Sequence, residues 1–234
     1  MIAIVSSCIK PLQNGVQLKS YLSVADREVQ TLFTLEKLEA YHFSKIILVD
    51  NSVDFDFSNI KKKFENVEIV HIKQYQFENK GLNELLMLLA IVDELPNNEP
   101  IFKISGRYYP NEAFKATIGT SFDFRVRGYD FGTKRGNIST RAYFVKNKQL
   151  YKDFLLKTFN EVFLYPGRVV GLRSLIKAMI ASVRKPLFFP NFNTSIEFSA
   201  ARVLINDNYT LDVTDSIGIQ GEIAGFEGSK EIIE

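Results

Sequence analysis

Short apolar runs alternate with helical patterns over the first half of the chain. The runs that predict buried strands are residues 2–6, 45–50, 67–72 and 101–105. Between them, apolar residues recur at helical spacing over 17–41, 60–65 and 82–95. Such an alternation predicts a doubly wound, mostly parallel α/β sheet with helices on both faces.

The second half of the chain does not continue this regular alternation of strands and helices. Strands are predicted at 122–126 and 140–146, and helices at 150–163, 169–183 and 193–204, before a glycine-rich segment at 217–225. The sequence has no internal repeat and no linker long enough to separate two independent domains. It therefore predicts one domain over 1–234, with a smaller C-terminal α+β part.

Polar residues follow two of the predicted buried strands. Asp50 ends one strand, and the corner Ser105-Gly106-Arg107 ends another. Ligands bind beyond the carboxyl ends of parallel strands, so we expect these residues to share one crevice. Side chains alternate along a regular strand, which would place Lys103, Ser105 and Arg107 on the same side.

Composition narrows the class of protein. Hydrophobic residues make up 46% of the chain, and a net charge of +2 gives no general basis for nucleic-acid binding. Cys8 is the only cysteine, which fits a reducing compartment. No apolar run approaches the ~18 residues of a membrane span, and residues 1–8 resemble a first strand more than a signal peptide. We expect a cytoplasmic protein.

Several common catalytic motifs are missing from the sequence. There is no G-x-x-x-x-G-K-[ST] loop, no G-x-G-x-x-G after the first strand, and no G-x-S-x-G turn. With 2 histidines and 1 cysteine, one chain cannot assemble a zinc site of the Cys/His type. These gaps argue against P-loop kinases, Rossmann dehydrogenases and α/β-hydrolases.

The segments Val49-Asp50-Asn51-Ser52, Asn79-Lys80-Gly81 and 103–108 together resemble bacterial GT-A glycosyltransferases of capsule or lipopolysaccharide assembly. The resemblance extends over residues 2–110. At the end of the fourth strand that family often carries an Asp-x-Asp that holds a metal on the donor diphosphate. Here the same place reads Ser105-Gly106-Arg107, so we expect an enzyme that does not depend on an Asp-x-Asp-bound metal. Whether it uses a divalent metal in another way stays open.

The resemblance implies a nucleotide-sugar donor and a glycan or lipid-linked acceptor. Residues 1–110 would be the nucleotide-binding half and 111–234 the acceptor-side half. The implied donor contacts are Asp50, Asn51, Lys80, Gly81, Lys103, Ser105, Gly106 and Tyr108. For Asp50 the alternative is an acid that caps the next turn, and for Lys80-Gly81 it is a plain helix-entry loop.

A departing diphosphate must be neutralised, by a metal or by fixed cations. Arg107 and Lys103 are the candidate cations, and Gly106 would let a ligand approach the backbone closely. The alternative for Arg107 is a surface arginine on a turn before Pro110.

Glu197 is the candidate general base for an inverting transfer. Its alternative is a capping box with Thr194, since Thr194-x-x-Glu197 has the required spacing.

The predicted helix 169–183 carries an apolar stripe within the basic segment 168–185. It would either contact an anionic membrane or pack its stripe on the core. Two other functions remain open on the same fold: a nucleotidyltransferase, and a non-catalytic protein that binds nucleotides or sugars.

Overall fold

The computed structural model describes residues 1–11, 22–73, 80–132, 136–167, 172, 176, 195–222 and 231–234. The strands are β1 Ile2–Ser7, β2 Lys45–Asp50, β3 Val67–His71, β4 Ile101–Ser105, β5 Tyr108–Pro110, β6 Phe124–Tyr129, β7 Asn137–Val145, β8 Leu211–Thr214, β9 Ile219–Glu222 and β10 Glu231–Ile233. The helices are α1 Val24–Glu39, α2 Ser58–Lys63, α3 Lys80–Ile91, α4 Lys148–Gly167 and α5 Ile196–Asn206, with a 3₁₀ turn at Val92–Glu94.

The main sheet has seven strands in the order β3-β2-β1-β4-β7-β6-β8. Its neighbouring strands run parallel except at β7, which is antiparallel to both β4 and β6. A small antiparallel sheet, β10-β9-β5, lies beside it. This order confirms the predicted fold class, a doubly wound, mostly parallel α/β sheet with a smaller C-terminal part.

The core lies on both faces of the main sheet because β1 alternates its side chains between them. Ile2 and Ile4 pack in one cluster with residues of α3, α4 and α5. Ala3 and Val5 pack in the other cluster with residues of α1 and α2. Strands that are buried on both faces read as continuous apolar runs, which explains why their sequence signal is clear.

The β4–β5 corner is packed tightly against β1 and α1. The backbone N–H of Gly106 donates to the carbonyl of Ser6 at 2.8 Å. A Cβ at position 106 would lie 3.3 Å from both Ser7 Cβ and Thr31 Oγ1. A Cβ at Gly221 on β9 would collide with the carbonyl oxygen of Arg107. Both glycines therefore allow backbone segments to approach closely at the end of β4.

The main differences from the sequence prediction lie in the short strands. β5, β8, β9 and β10 were not predicted, and β9 falls within the glycine-rich segment. The C-terminal helix begins at Ile196 rather than at 193. The predicted helix 169–183 lies almost entirely outside the described residues.

Candidate functional site

A cleft of about 340 Å³ opens at the carboxyl ends of β1, β2 and β4. The N-terminal turns of α3 and α5, one face of α1 and part of β7 complete its walls. The predicted site residues that line it are Asn51, Lys80, Gly81, Ser105, Gly106, Arg107, Tyr108 and Glu197. The crevice expected from the strand ends is therefore present, and it draws residues from both halves of the chain.

Three basic side chains converge on one side of this cleft: Arg27, Lys80 and Arg107. Burial first, and then the charges of Arg27 and Arg107, lower the pKa of Lys80. Burial also lowers the pKa of Arg27, and Arg107 adds to that shift. Within the described part of the chain, no carboxylate forms an ion pair with these cations. We call this group the cation wall.

Arg27 reaches the cation wall from helix α1. Its side chain is half-buried, and Nη1 donates to the carbonyl of Cys8 at 2.8 Å. Its Nε is buried without a hydrogen-bond partner among the described residues. The capping box of Ser23 and Asp26 starts α1 at Val24, three residues before this arginine, and thereby fixes which face of the helix meets the cleft.

Cys8 also lines the cleft, but its thiol is not activated. Burial, followed by the charge of Asp50, raises the pKa of Cys8 to about 12. The nearby cations Arg27, Arg107 and Lys80 oppose this shift without reversing it. The thiol is therefore neutral near pH 7 and is not a nucleophile there.

Asp50 is fully buried and lies behind the cleft wall. Its Oδ1 accepts from the backbone N–H of Ser52 at 2.6 Å, and its Oδ2 accepts from that of Ile9 at 3.2 Å. These are the contacts of the turn-capping alternative, and they tie together the loops after β1 and β2. The adjacent Asn51 does line the cleft, and its buried Oδ1 has no hydrogen-bond partner among the described residues.

Lys103 has the same side-chain direction as expected, yet it does not reach the cleft. It is 1% exposed, and its Nζ lies 2.5 Å from Glu84 Oε1. The same Nζ donates to the carbonyl of Thr140 at 2.5 Å. Its charge is therefore committed inside the protein, and the sequence-based role in neutralising a diphosphate does not match this position.

Glu84 on α3 was not singled out from the sequence, although it lines the cleft. Its Oε1 accepts from Ser6 Oγ at 2.5 Å in addition to the ion pair with Lys103. A signal was available, because Glu84 is the only charged residue between Gly81 and Val92 in an otherwise apolar helix. A lone charge in such a helix needs a buried partner or a polar cavity.

Glu197 lies at the second position of α5, not at the third. The N-cap is Ser195, whose hydroxyl accepts from the backbone N–H of Phe198 at 3.2 Å. The capping-box alternative for Glu197 is therefore wrong. Glu197 instead lines the cleft, where its Oε1 accepts from Thr140 Oγ1 at 3.4 Å. We call Glu84 and Glu197 the acid wall.

Tyr108 combines a core position with a polar edge at the cleft. The residue is 3% exposed, and its hydroxyl accepts from Arg141 Nε at 3.1 Å. The Nη1 of Arg141 is in turn paired with Glu234. Glu234 is 1% exposed, and Arg127 Nη1 lies 3.0 Å from its Oε1. Arg141 thus reaches the cleft with an internal partner already in place.

The hydroxyls of Tyr129 and Ser139 also donate to the Glu234 carboxylate, each at 2.6 Å. Burial, reinforced by this carboxylate, raises the pKa of Tyr129, so its hydroxyl keeps the proton that it donates. We call the group of Arg127, Arg141 and Glu234 the Glu234 cluster.

The residues at the end of β4 do not suit a divalent metal. The slot contains a guanidinium and no carboxylate, whereas Mg²⁺ and related ions prefer oxygen ligands of negative charge. Among the described residues, no group of three or more His, Cys, Asp or Glu side chains could hold a metal ion.

The apolar stripe of the predicted helix 169–183 is described at only two of its positions. Leu172 is 72% exposed and Ile176 is 46% exposed. Among the described residues, we find no helix with the length and hydropathy that a membrane span requires.

No protein-family model and no curated protein sequence matches this chain. Solved structures do match. The glycosyltransferase GlyE of Streptococcus pneumoniae TIGR4 is 11% identical, with a TM-score of 0.45 over 92% of this chain and 45% of that chain. The galactosyltransferase LgtC, solved with donor and acceptor sugar analogues, is 7% identical, with a TM-score of 0.48 over 94% of this chain and 86% of that chain.

A nucleoside-diphosphate-sugar pyrophosphorylase from Vibrio cholerae RC9 also matches. It is 9% identical, with a TM-score of 0.49 over 94% of each chain. The present chain spans less than half of the GlyE structure. Likenesses at these identities and TM-scores decide neither a family nor an activity.

Proposed function

We propose that the protein is a glycosyltransferase that moves a sugar from a nucleotide-sugar donor to a glycan or lipid-linked acceptor in surface-polysaccharide assembly. The observation that carries the proposal is the cation wall. Arg27, Lys80 and Arg107 repel one another at the carboxyl ends of parallel strands, and they have no internal carboxylate partner within the described residues. An anionic ligand such as a diphosphate relieves that repulsion.

The cation wall and the acid wall have different roles in the proposed transfer. The bond between the anomeric carbon and the diphosphate oxygen breaks, and the leaving diphosphate keeps the electron pair. Arg107, Lys80 and Arg27 stabilise that developing charge because they converge on the same side of the cleft. The acceptor hydroxyl loses its proton to Glu197 as its oxygen bonds to the anomeric carbon.

Other lining residues hold the donor in this scheme. Asn51 offers its unpartnered side-chain oxygen to a donor group of the nucleoside, the contact first expected of Asp50. Lys103 acts from behind the wall, where it holds Glu84 in place. Residues 1–110 supply the cation wall, and residues 111–234 supply Glu197 on the acceptor side.

Product analysis on the full chain tests the proposal. The purified protein is incubated with a panel of nucleotide sugars and with nucleoside triphosphates plus sugar 1-phosphates. A glycosyltransferase releases nucleoside diphosphate, or monophosphate from a monophosphate donor. Release of pyrophosphate instead would identify a nucleotidyltransferase, and binding of donors without any turnover would favour a non-catalytic binding protein.

Two variants connect the activity to the cleft. Glu197→Gln should abolish turnover and leave donor affinity within about twofold, because a general base acts on the reacting hydroxyl. Glu65→Gln is the matched control, since Glu65 is exposed and outside the cleft. Full turnover by Glu197→Gln would remove Glu197 from the mechanism.

A membrane contact through 168–185 is part of the proposal for a lipid-linked acceptor. The exposure of Leu172 and Ile176 supports it, because a stripe packed on the core would bury both. Flotation with vesicles that contain 30% anionic lipid, against neutral vesicles, measures the contact. Equal recovery with the two vesicle types would show that electrostatic attraction does not contribute to the membrane contact. The cytoplasmic location stays a prediction from the sequence.

A further inference from the structure

The acid wall points to a rule of substrate choice: we propose that the cleft accepts neutral or amino sugars and rejects sugars that carry a carboxylate. This inference rests on the proposed function, because it concerns the sugar part of the donor. It adds a class of sugar that the cation wall alone does not specify.

The cleft is electrostatically two-sided. Arg27, Lys80 and Arg107 lie near the ends of β1 and β4 and the start of α3. Glu84 and Glu197 lie one turn into α3 and at the start of α5. A sugar phosphate that places its phosphate on the cation wall therefore directs its ring toward the carboxylates.

Each carboxylate of the acid wall has a hydrogen-bond partner: Glu84 has Ser6 and the buried Lys103, and Glu197 has Thr140. Ser6 Oγ and Lys103 Nζ each lie 2.5 Å from Glu84 Oε1. Lys103 is 1% exposed, whereas Glu84 is 24% exposed, so the carboxylate faces the cleft and the ammonium lies behind it. Glu197 accepts only a hydroxyl hydrogen bond, from Thr140, and no basic residue is paired with it in the described part of the chain.

Among the described residues, the two basic side chains at this end of the cleft already have internal partners. Lys103 is committed to Glu84 and to the Thr140 carbonyl. Arg141 is committed to Glu234 and to the Tyr108 hydroxyl. A uronic acid would thus bring its carboxylate toward the unpaired charge of Glu197 and toward the cleft-facing carboxylate of the Glu84–Lys103 pair. Like charges placed together in this way are the arrangement that interfaces use to exclude wrong partners.

Hydroxyl and ammonium groups have the opposite relation to the acid wall. Carboxylate oxygens accept strong hydrogen bonds from hydroxyl donors, and they also pair with a protonated amine. A donor sugar with free hydroxyls therefore brings no repulsion to either glutamate and leaves Glu197 able to take the acceptor proton, and a 2-amino sugar gains an additional attraction. The discrimination follows from charge on the ring and does not depend on the nucleotide base.

The test uses base-free probes on the full chain. Binding of pyrophosphate, α-glucose 1-phosphate, α-glucosamine 1-phosphate and α-glucuronic acid 1-phosphate is measured by calorimetry or by ligand-detected NMR. We expect pyrophosphate to bind and glucose 1-phosphate to bind about tenfold or more tightly than the glucuronate. Glucosamine 1-phosphate should bind at least as tightly as the glucose compound.

Glu197→Gln should bring the glucose-to-glucuronate ratio closer to one without weakening pyrophosphate binding. Glu65→Gln, on the exposed surface, should leave the ratio unchanged. Since Glu84→Gln alone would leave Lys103 buried without a charge partner, the second variant is the pair Glu84→Gln with Lys103→Met. That pair should also reduce the ratio.

The outcomes distinguish a failure of the proposed function from a failure of the inferred sugar preference. If pyrophosphate and all of the sugar phosphates fail to bind, the proposed function and this inference both fall. If pyrophosphate binds and the glucuronate binds as well as the glucose compound, only this inference is overturned. An unchanged ratio in both glutamate variants would assign the discrimination to other residues and overturn the role of the acid wall.

Discussion

The molecule contains two groups of basic side chains near the same cleft, and they differ in what neutralises them. In the Glu234 cluster, Arg127 and Arg141 share the carboxylate of Glu234. In the cation wall, burial and then the charges of Arg27 and Arg107 lower the pKa of Lys80, and burial together with the charge of Arg107 lowers the pKa of Arg27. The first group has its carboxylate within the chain, whereas the second has no carboxylate partner among the described residues.

This contrast gives a way to separate structural from ligand-binding charge. A buried charge that has a partner stabilises or specifies the fold, and its loss leaves the partner uncompensated. Like charges that converge without a partner cost folding free energy, and they persist where an external anion is bound. Removing a member of the Glu234 cluster should therefore lower the stability of the fold, whereas removing a member of the cation wall should lower the affinity for an anion.

The largest expected effect follows from Glu234→Gln. The change leaves Arg127 and Arg141 without their carboxylate, and we expect the free energy of unfolding to fall by about 3 kcal/mol. Both arginines are partly exposed, which keeps the loss at the lower end of the range for buried ion pairs. Chemical denaturation monitored by circular dichroism measures it. A loss no larger than that of Glu65→Gln would show that the cluster is not structural.

Lys103→Met should produce the next largest effect, because Glu84 would lose its cation. We expect a loss of about 2 kcal/mol in the free energy of unfolding. The double variant with Glu84→Gln should recover at least half of it, since neither charge is then left alone. If the single and double variants lose equal stability, then the ion pair contributes nothing and packing of the Lys103 stem is what matters.

Arg107→Ala should lower pyrophosphate affinity by about tenfold, which is about 1.4 kcal/mol, with little change in stability. The variant removes one of three repelling cations, so the unliganded protein loses no internal ion pair among the described residues. Lys115→Ala on the exposed surface is the matched control. If Arg107→Ala and Lys115→Ala bind pyrophosphate equally well, Arg107 is a surface arginine on a turn and not a ligand contact.

The smallest expected effect is a pH dependence of pyrophosphate binding. The pKa of Lys80 is lowered from 10.5, so in the unliganded protein it loses its proton at a lower pH than in the unfolded chain. Affinity should therefore fall severalfold as the pH rises toward 10, since a neutral amine no longer attracts the anion.

The same shift has a consequence for stability. A lowered lysine pKa makes the protonated form unfavourable in the folded state, and that penalty fades as the pH rises toward 10.5. Lys80→Arg, which stays charged over this range, should flatten both profiles. An unchanged pH profile in Lys80→Arg would assign the dependence to another group.

The sequence predicted the central fold because the relevant strands are buried on both faces. β2 and β4 were predicted with their observed bounds, and β1 and β3 within one residue. β5 and β10 have three residues each, and β8 and β9 have four. Such short strands depend on pairing with distant segments, so local composition carries little information about them.

The site was partly predictable for the same reason. Strand-end position predicted that Ser105, Gly106 and Arg107 line a crevice, because topology alone brings the carboxyl ends of parallel strands together. Asn51 was predicted only from the resemblance. Arg27 lies within a helix, where only tertiary packing decides which polar side chain faces the cleft. For Lys103, the alternation rule gave the right side of the strand but not the depth at which Glu84 captures its charge.

The glycine at position 221 has a consequence for how variation in this protein would be interpreted. Any side chain there would displace the backbone carbonyl of Arg107, although Gly221 itself does not line the main cleft. In a library of all single substitutions, position 221 would therefore tolerate as few residues as a ligand contact does. A position that tolerates few substitutions in this chain is therefore restricted either by the shape of the backbone or by contact with a ligand. A binding measurement on the tolerated variants distinguishes the two causes.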